Sequence, residues 1–286
     1  MPLRTDAALL APPATIDGGA PLVLYAHPYA AVPEISAALM IHLASWGFVV
    51  AAPDQVERSA SGLYGDAAAG VAPRTDDDVL GATIDLVAEA AAGGGQGDPA
   101  HVLTGLVDTS RVAVTGASQG ANVAYGFASA DPRVDGWISY SGGFGGELGA
   151  APPAPDVPGM VMLADRDRAI SPNRTKVLYA QMAEPKYLVH VYDAGHEVFT
   201  DLCHIGGTEH AMVDVAEQHQ ILPQQLLDLA KDGCQPELPP VEDAWPAIDQ
   251  ASVAFLRWVF GIDDQPVGLT TDAVAHLGAP VTVTHD

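Results

Sequence analysis

The chain of 286 residues is 48% apolar and 17% charged, which allows a large core and argues against disorder. Its 12 Lys and Arg stand against 36 Asp and Glu, a net charge of −24 that repels phosphate backbones and anionic headgroups, so no nucleic-acid partner is expected. No run of about 18 apolar residues occurs, so no membrane insertion is expected, and residues 1–6 lack the basic-then-apolar pattern of a signal peptide.

Residues 1–20 are punctuated by Pro and Gly and show no periodicity. The apolar run 22–26 reads as a buried strand ended by His27-Pro28-Tyr29. Helical spacing follows over 34–45, with Ile35, Leu39, Ile41 and Leu43 as the buried side and Gly47 as the closing residue. Residues 48–52 form the next strand, stopped by Pro53-Asp54, and 55–75 read as loop. A helix is predicted over 76–92, with Val79, Ile84, Leu86 and Val87 as its apolar positions, and the Gly-rich stretch 93–99 breaks it.

The rhythm then repeats. Strands are predicted at 111–115, 136–140, 160–164 and 188–192, with helices at 121–130 and 172–183 and a loop at 142–158. Residues 201–243 interrupt the alternation with both cysteines, three histidines and one or two helical pieces. A closing helix spans 244–260, with Val253, Leu256, Trp258 and Val259 apolar, and 261–286 form a tail of unclear structure. Continuous apolar strands alternating with helices imply an α/β fold, a mostly parallel sheet covered on both faces. Functional groups are then expected in loops at the carboxyl ends of the strands.

One such loop is Gly116-Ala117-Ser118-Gln119-Gly120. A strand feeds it and a helix leaves it, the setting in which a serine hydroxyl is raised above a sheet as a nucleophile. A serine hydroxyl needs a base, and the base an orienting acid, expected here in the chain order serine, acid, histidine. His196 follows the strand at 188–192, and Gly195 provides the sharp turn that points its imidazole back over the sheet. Asp165 and Asp167 both follow the strand at 160–164, and spacing alone leaves the acid open between them. His27 precedes the serine and ends a strand, and His42, in a helix, and His190, in a strand, read as packing residues. A metal reading of His196, Asp201, Cys203, His204 and His210 lacks recognisable ligand spacing, so no metal and no cofactor is expected. Negative charge on the reacting carbonyl oxygen calls for backbone N–H donors. Gln119 follows the nucleophile, and after the first strand Tyr29 is the natural second donor because Pro28 has no N–H. Cys203 and Cys234 are too few for a disulfide scaffold and read either as one clip or as unrelated thiols.

Residues 22–29, 46–54 and 108–120 together resemble the dienelactone hydrolase-like branch of the α/β-hydrolases, over roughly residues 20–260. That branch includes proteins similar to platelet-activating-factor acetylhydrolase and to bacterial cutinases and polyester hydrolases. The segment 165–172 is similar to the acid region of the cutinase-like members, which implies Asp167 as the acid. Residues 195–203 resemble the histidine region of the acetylhydrolase-like members, some of which pair a cysteine there with one before the closing helix, so the resemblance implies a Cys203–Cys234 disulfide. That pairing would favour a secreted or periplasmic protein. Two departures stand out: His27-Pro28 replaces the usual His-Gly, and the dienelactone hydrolases proper use a cysteine nucleophile, so their specific reaction is not implied.

The expectation is therefore a single α/β-hydrolase domain over 1–286, with 201–243 as a lid-like insertion and 261–286 as a tail. Its reaction would be metal-independent hydrolysis of small or polymeric carboxylic esters by Ser118, Asp167 and His196. Cutin, polyester or lipid esters are favoured, with a short-chain carboxylesterase or a platelet-activating-factor acetylhydrolase-like lipase as the alternative; a peptidase and a non-catalytic binding protein are the weaker rivals.

Overall fold

Side chains of a strand alternate between the two faces of a sheet, and the computed structural model shows why the strand runs of this chain are apolar throughout. It describes residue 7 and residues 14–93, 102–205, 211–220 and 223–286. In β1 (Ala20–Ala26), Leu22 and Leu24 pack into one core, with Val112 and Val114 of β3 (Val107–Ala117), while Val23 and Tyr25 pack into the other. Each strand therefore serves two cores. The first is covered by α3 (Asp76–Ala91), α4 (Gln119–Ala130) and α5 (Pro172–Gln181), and the second by α1 (Ala37–Ser45) and α8 (Trp245–Val259).

The remaining strands are β2 (Val49–Ala51), β4 (Val134–Tyr140), β5 (Gly159–Ala164), β6 (Lys186–Val191) and β7 (Val281–His285). Among the described residues they form one sheet in the order β2-β1-β3-β4-β5-β6-β7. All neighbours are parallel except β6 and β7. This is an α/β-hydrolase-like fold, and the carboxyl ends of β1, β3, β5 and β6 open on one edge.

The predicted elements recur with three differences. The tail is not featureless: α9 (Thr271–Val274) leads into β7, whose apolar Val281 and Val283 close the sheet edge beyond β6. The loop predicted at 55–75 contains the short α2 (Ala60–Tyr64), capped by the Ser59 hydroxyl. The first helix is preceded by a tight 3₁₀ turn, Pro33–Ser36. Two apolar assignments shift as well. In α3 the buried face is Leu80, Ile84, Val87 and Ala90, and Leu86 is exposed. In α1, Ile41 is only partly buried. Residues 94–99 of the predicted breaker and most of 1–13 lie outside the described residues.

Within 201–243 two α-helices are described, α6 (Ala211–Gln218) and α7 (Gln224–Ala230), linked by an ion pair at 2.6 Å between Glu217 of α6 and Lys231, the residue that follows α7. No helix among the described residues is long and apolar enough to cross a membrane.

Candidate active site

Ser118 stands at the end of β3 with φ 56° and ψ −120°, in the left-handed region that non-glycine residues rarely occupy. The turn holds because its neighbours are small. A Cβ on Gly116 would lie 2.2 Å from the Gly120 carbonyl oxygen, and one on Gly120 would lie 2.0 Å from that of Ala26. The Ser118 N–H donates to the Tyr140 carbonyl at 2.9 Å, and its own carbonyl accepts the first bond of α4, from Ala121 at 3.1 Å.

Asp167 follows β5 and is 6% exposed. Its Oδ2 lies 2.8 Å from His196 Nδ1 and also receives the Ser141 hydroxyl, while Oδ1 accepts the Ile170 N–H at 2.7 Å. Both oxygens are thus held, and the carboxylate has one orientation. Asp165 is placed elsewhere: its carboxylate is directed to Arg166, at 3.8 Å, and the Ala194 N–H, at 3.4 Å. The tie that spacing left open is resolved by contact, since only Asp167 reaches the imidazole.

His196 begins a buried 3₁₀ turn, His196–Phe199, beyond β6. Gly195 before it does not make the sharp turn expected of it, because its φ is an ordinary −95°. The left-handed residue is Asp193, φ 52°. Gly195 is needed for space: a Cβ there would lie 2.5 Å from the Gly233 nitrogen. Because a carboxylate can only accept, His196 carries its proton on Nδ1, which leaves Nε2 as a base. Burial opposes an imidazolium here, but the hydrogen bond and charge of Asp167, with Glu197 and Asp232 behind it, outweigh burial and raise the pKa of His196.

The loop after β1 is braced from beneath. His27 is fully buried, its Nδ1 lies 2.8 Å from the Pro28 carbonyl oxygen, and its Nε2 accepts the Gln55 N–H at 3.2 Å. Burial, then the charge of Arg58, lowers its pKa to about 4, so it is neutral. The tautomer follows: Nε2 is the acceptor, so Nδ1–H donates to Pro28. Arg58 is buried as well, donating to the His27 carbonyl and to Gln55 Oε1 and pairing with Asp76 at 2.8 Å. Peptide units are planar, with C=O and N–H opposed. Fixing the Pro28 carbonyl therefore fixes the direction of the Tyr29 N–H, which has no hydrogen-bond partner among the described residues. The Gln119 N–H opens α4, where the helix itself offers no acceptor.

These groups meet at one cavity of about 190 Å³, lined by Tyr29, Ser118, His196 and Glu197 together with apolar side chains. Val213 of α6, Leu226, Leu227 and Leu229 of α7, and Val32 and Ile35 are among the apolar side chains that line it. A disulfide joins Cys203 to Cys234. Cys203 is therefore no thiolate donor, and His210 of the composition-based metal set lies outside the described residues.

Ser118, His196 and Tyr29 line one cavity, Asp167 meets His196, and Gln119 is the first residue of α4 after Ser118. Sequence reasoning missed Ser141, Glu197, Asp232 and Arg58. Ser141 had a faint signal, a polar residue directly after a buried strand; the others sit in segments with no pattern that marks a buried charge.

A model of the dienelactone hydrolase family matches residues 7–222. No curated protein matches the chain significantly. Among solved structures, the chain is similar to a ferulic acid esterase from Streptomyces cinnamoneus, with a TM-score of 0.62 and 22% identity over 99% of this chain and 77% of that one. At that identity the likeness speaks for the fold. The chain belongs to the dienelactone hydrolase family of α/β-hydrolases, and it is a hydrolase acting on esters.

Proposed function

We propose that the chain hydrolyses carboxylic esters through an acyl-enzyme on Ser118. The observation that carries this reading is the buried His196–Asp167 pair, 2.8 Å apart, opening on the same cavity as a serine held at positive φ. His196 Nε2 removes the Ser118 proton as Oγ attacks the ester carbonyl. The Tyr29 and Gln119 N–H groups hold the resulting oxyanion. Collapse expels the alkoxide, which takes the proton from His196. Water, deprotonated by His196 in turn, attacks the acyl carbonyl and releases the acid and free Ser118. Asp167 holds the imidazole and stabilises its charged form throughout.

The apolar wall and the net charge of −24 favour neutral esters over anionic ones. In this reading the chain is one domain in which 201–243 acts as a cap. A cavity of about 190 Å³ beneath that cap favours short or medium acyl chains. A second reading, a cutin, polyester or lipid-ester hydrolase, draws on the exposed Tyr29 at the cavity and the exposed Leu63 and Tyr64 of neighbouring α2. The Cys203–Cys234 bridge fits an oxidising compartment.

Labelling with a fluorophosphonate tests the mechanism: wild type should label, and Ser118→Ala should not. Equal labelling of both, or of neither, overturns it. A series of p-nitrophenyl esters of rising chain length, run beside a polyester film, separates the two substrate readings.

A further inference from the structure

Asp232 belongs to the turn that ends α7, and it is 2% exposed. Its Oδ2 accepts the N–H of Arg168 at 2.6 Å and of Ala169 at 3.2 Å. These are the two residues that follow Asp167. Its backbone carbonyl accepts the N–H of Glu197 at 2.7 Å, and Glu197 follows His196. The next residue, Gly233, packs so closely on Gly195 that a Cβ on Gly195 would lie 2.5 Å from the Gly233 nitrogen. Cys234 then ties the same corner to Cys203. One short corner of the cap thus grips the acid loop with a side chain and the base loop with a carbonyl.

A buried carboxylate is a costly way to satisfy two N–H groups. Its second oxygen, Oδ1, is buried and has no hydrogen-bond partner among the described residues. Asp232 is not part of the cavity wall, so it does not serve by touching an ester. On its outer side it borders a surface hollow with Arg166, Arg168, Asp193 and Glu237.

We propose that Asp232 is a positioning residue: by bonding to the segments after Asp167 and after His196, it sets the geometry of that pair and makes it depend on the seating of the cap. The proposal rests on the Ser118–His196–Asp167 reading. Helix α7, which ends two residues before Asp232, also supplies Leu226, Leu227 and Leu229 to the cavity. An acyl chain that presses on α7 therefore acts on the same lever that holds the acid and the base. Charge contributes too. His196 is faced by Asp167 from the β5 loop, Glu197 from its own turn and Asp232 from the cap, and each favours its protonated form.

The test uses Asp232→Asn, which keeps one oxygen acceptor but removes the charge, and Asp232→Ala, which removes both. Three quantities are measured: kcat per site titrated with a fluorophosphonate, KM for a neutral p-nitrophenyl ester, and the His196 imidazole midpoint by NMR. Asp232→Ala should lose ~10-fold or more in kcat per titrated site with KM little changed, and Asp232→Asn should lose less. The imidazole midpoint should fall in both variants, because a negative charge has left its surroundings. Values of kcat per titrated site within about twofold of wild type in both variants, or an unmoved midpoint in both, overturn the proposal. A Tm change alone counts as the same failure, since a merely structural residue would give it. Should Asp232→Ala not fold, Asp232→Asn decides by the same readings. Should wild type itself fail to label, the nucleophile reading has failed, and the His196 midpoint alone then decides the role of Asp232.

Discussion

Ser141 donates its hydroxyl hydrogen to Asp167 Oδ2, the same oxygen that lies 2.8 Å from His196 Nδ1. Ser141 is 1% exposed and holds a positive φ of 55° after β4, with its N–H bonded to the Met162 carbonyl at 2.9 Å. The sheet therefore carries both the strand that leads into Ser118 and the residue that holds the Asp167 carboxylate. Ser141→Ala removes a donor from a buried carboxylate, which should cost ~1–3 kcal/mol of stability. We expect kcat to fall several-fold with KM nearly constant, read from ester kinetics at saturating substrate. An unchanged kcat would show that Ile170 and His196 suffice to hold Asp167.

The pH profile follows from the raised pKa of His196. Catalysis needs the neutral imidazole, so kcat/KM should rise with pH through the His196 value and level off above it. With that value pushed up to about 9, the rise extends well above the ordinary midpoint near 6.5. The stability linkage has the opposite sense: the His196–Asp167 interaction contributes fully below about pH 6.5 and is lost as pH rises through the folded-state value. Glu197→Gln removes one of the charges facing His196 and should move the kinetic midpoint down. A wild-type plateau already reached at pH 6 would contradict the arrangement.

His27 acts on the Tyr29 N–H, the proposed oxyanion donor, through one peptide plane. His27→Ala frees the Pro28 carbonyl, and with it the direction of the Tyr29 N–H. Loss of one oxyanion donor costs about 100- to 1000-fold in kcat in related chemistry, and a donor that is loosened rather than deleted should cost less, ~10-fold or more. Because burial and Arg58 keep His27 neutral, with a pKa of about 4, its support should not vary between pH 6 and 9. The measurement is kcat against pH for the variant and wild type. A ratio that changes across that range would mean that His27 titrates in the reaction.

Asp249 of α8 and Asp201 behind the histidine turn form a second, non-catalytic site of pH dependence. Burial, then the charge of Asp201, raises Asp249 to about 7, and burial raises Asp201 to about 6 despite the Ala38 N–H at 2.9 Å. His42 Nδ1, at 3.6 Å from Asp249, is the basic group on that side. Raised carboxyl values stabilise the fold most below the unfolded value near 4, and that contribution is lost as pH rises through 6 to 7. Asp249→Asn should therefore stabilise the protein by at least about 1 kcal/mol at pH 8 and by less at pH 5. Thermal melts at the two pH values check this, and an equal or reversed gain would remove Asp249 from the account.

Much of the candidate site is legible in the sequence. Ser118 was marked by glycine two residues away on either side, and the structure shows those positions to be backbone contacts with no room for a Cβ. His196 was marked by its place after a strand. The reason offered for Gly195 was wrong in kind: it makes room for Gly233, a residue 38 positions away, which no local turn rule could reveal. Leu86 looked like core because helical periodicity counts apolar residues, whereas α3 buries the face that happens to meet the sheet.

By itself, the sequence determined the strand–helix alternation, the strained serine turn and the placing of the candidate aspartates and histidine after later strands, because these depend on period, residue size and neighbours along the chain. Only the tertiary structure decided which of Asp165 and Asp167 meets His196, that Ser141 bonds to Asp167 and Asp232 to the N–H groups after it, and that residues of α6 and α7 line the cavity. Those outcomes come from contacts between segments far apart in the chain, where burial and hydrogen-bond geometry, not local preference, select among residues that look alike in sequence.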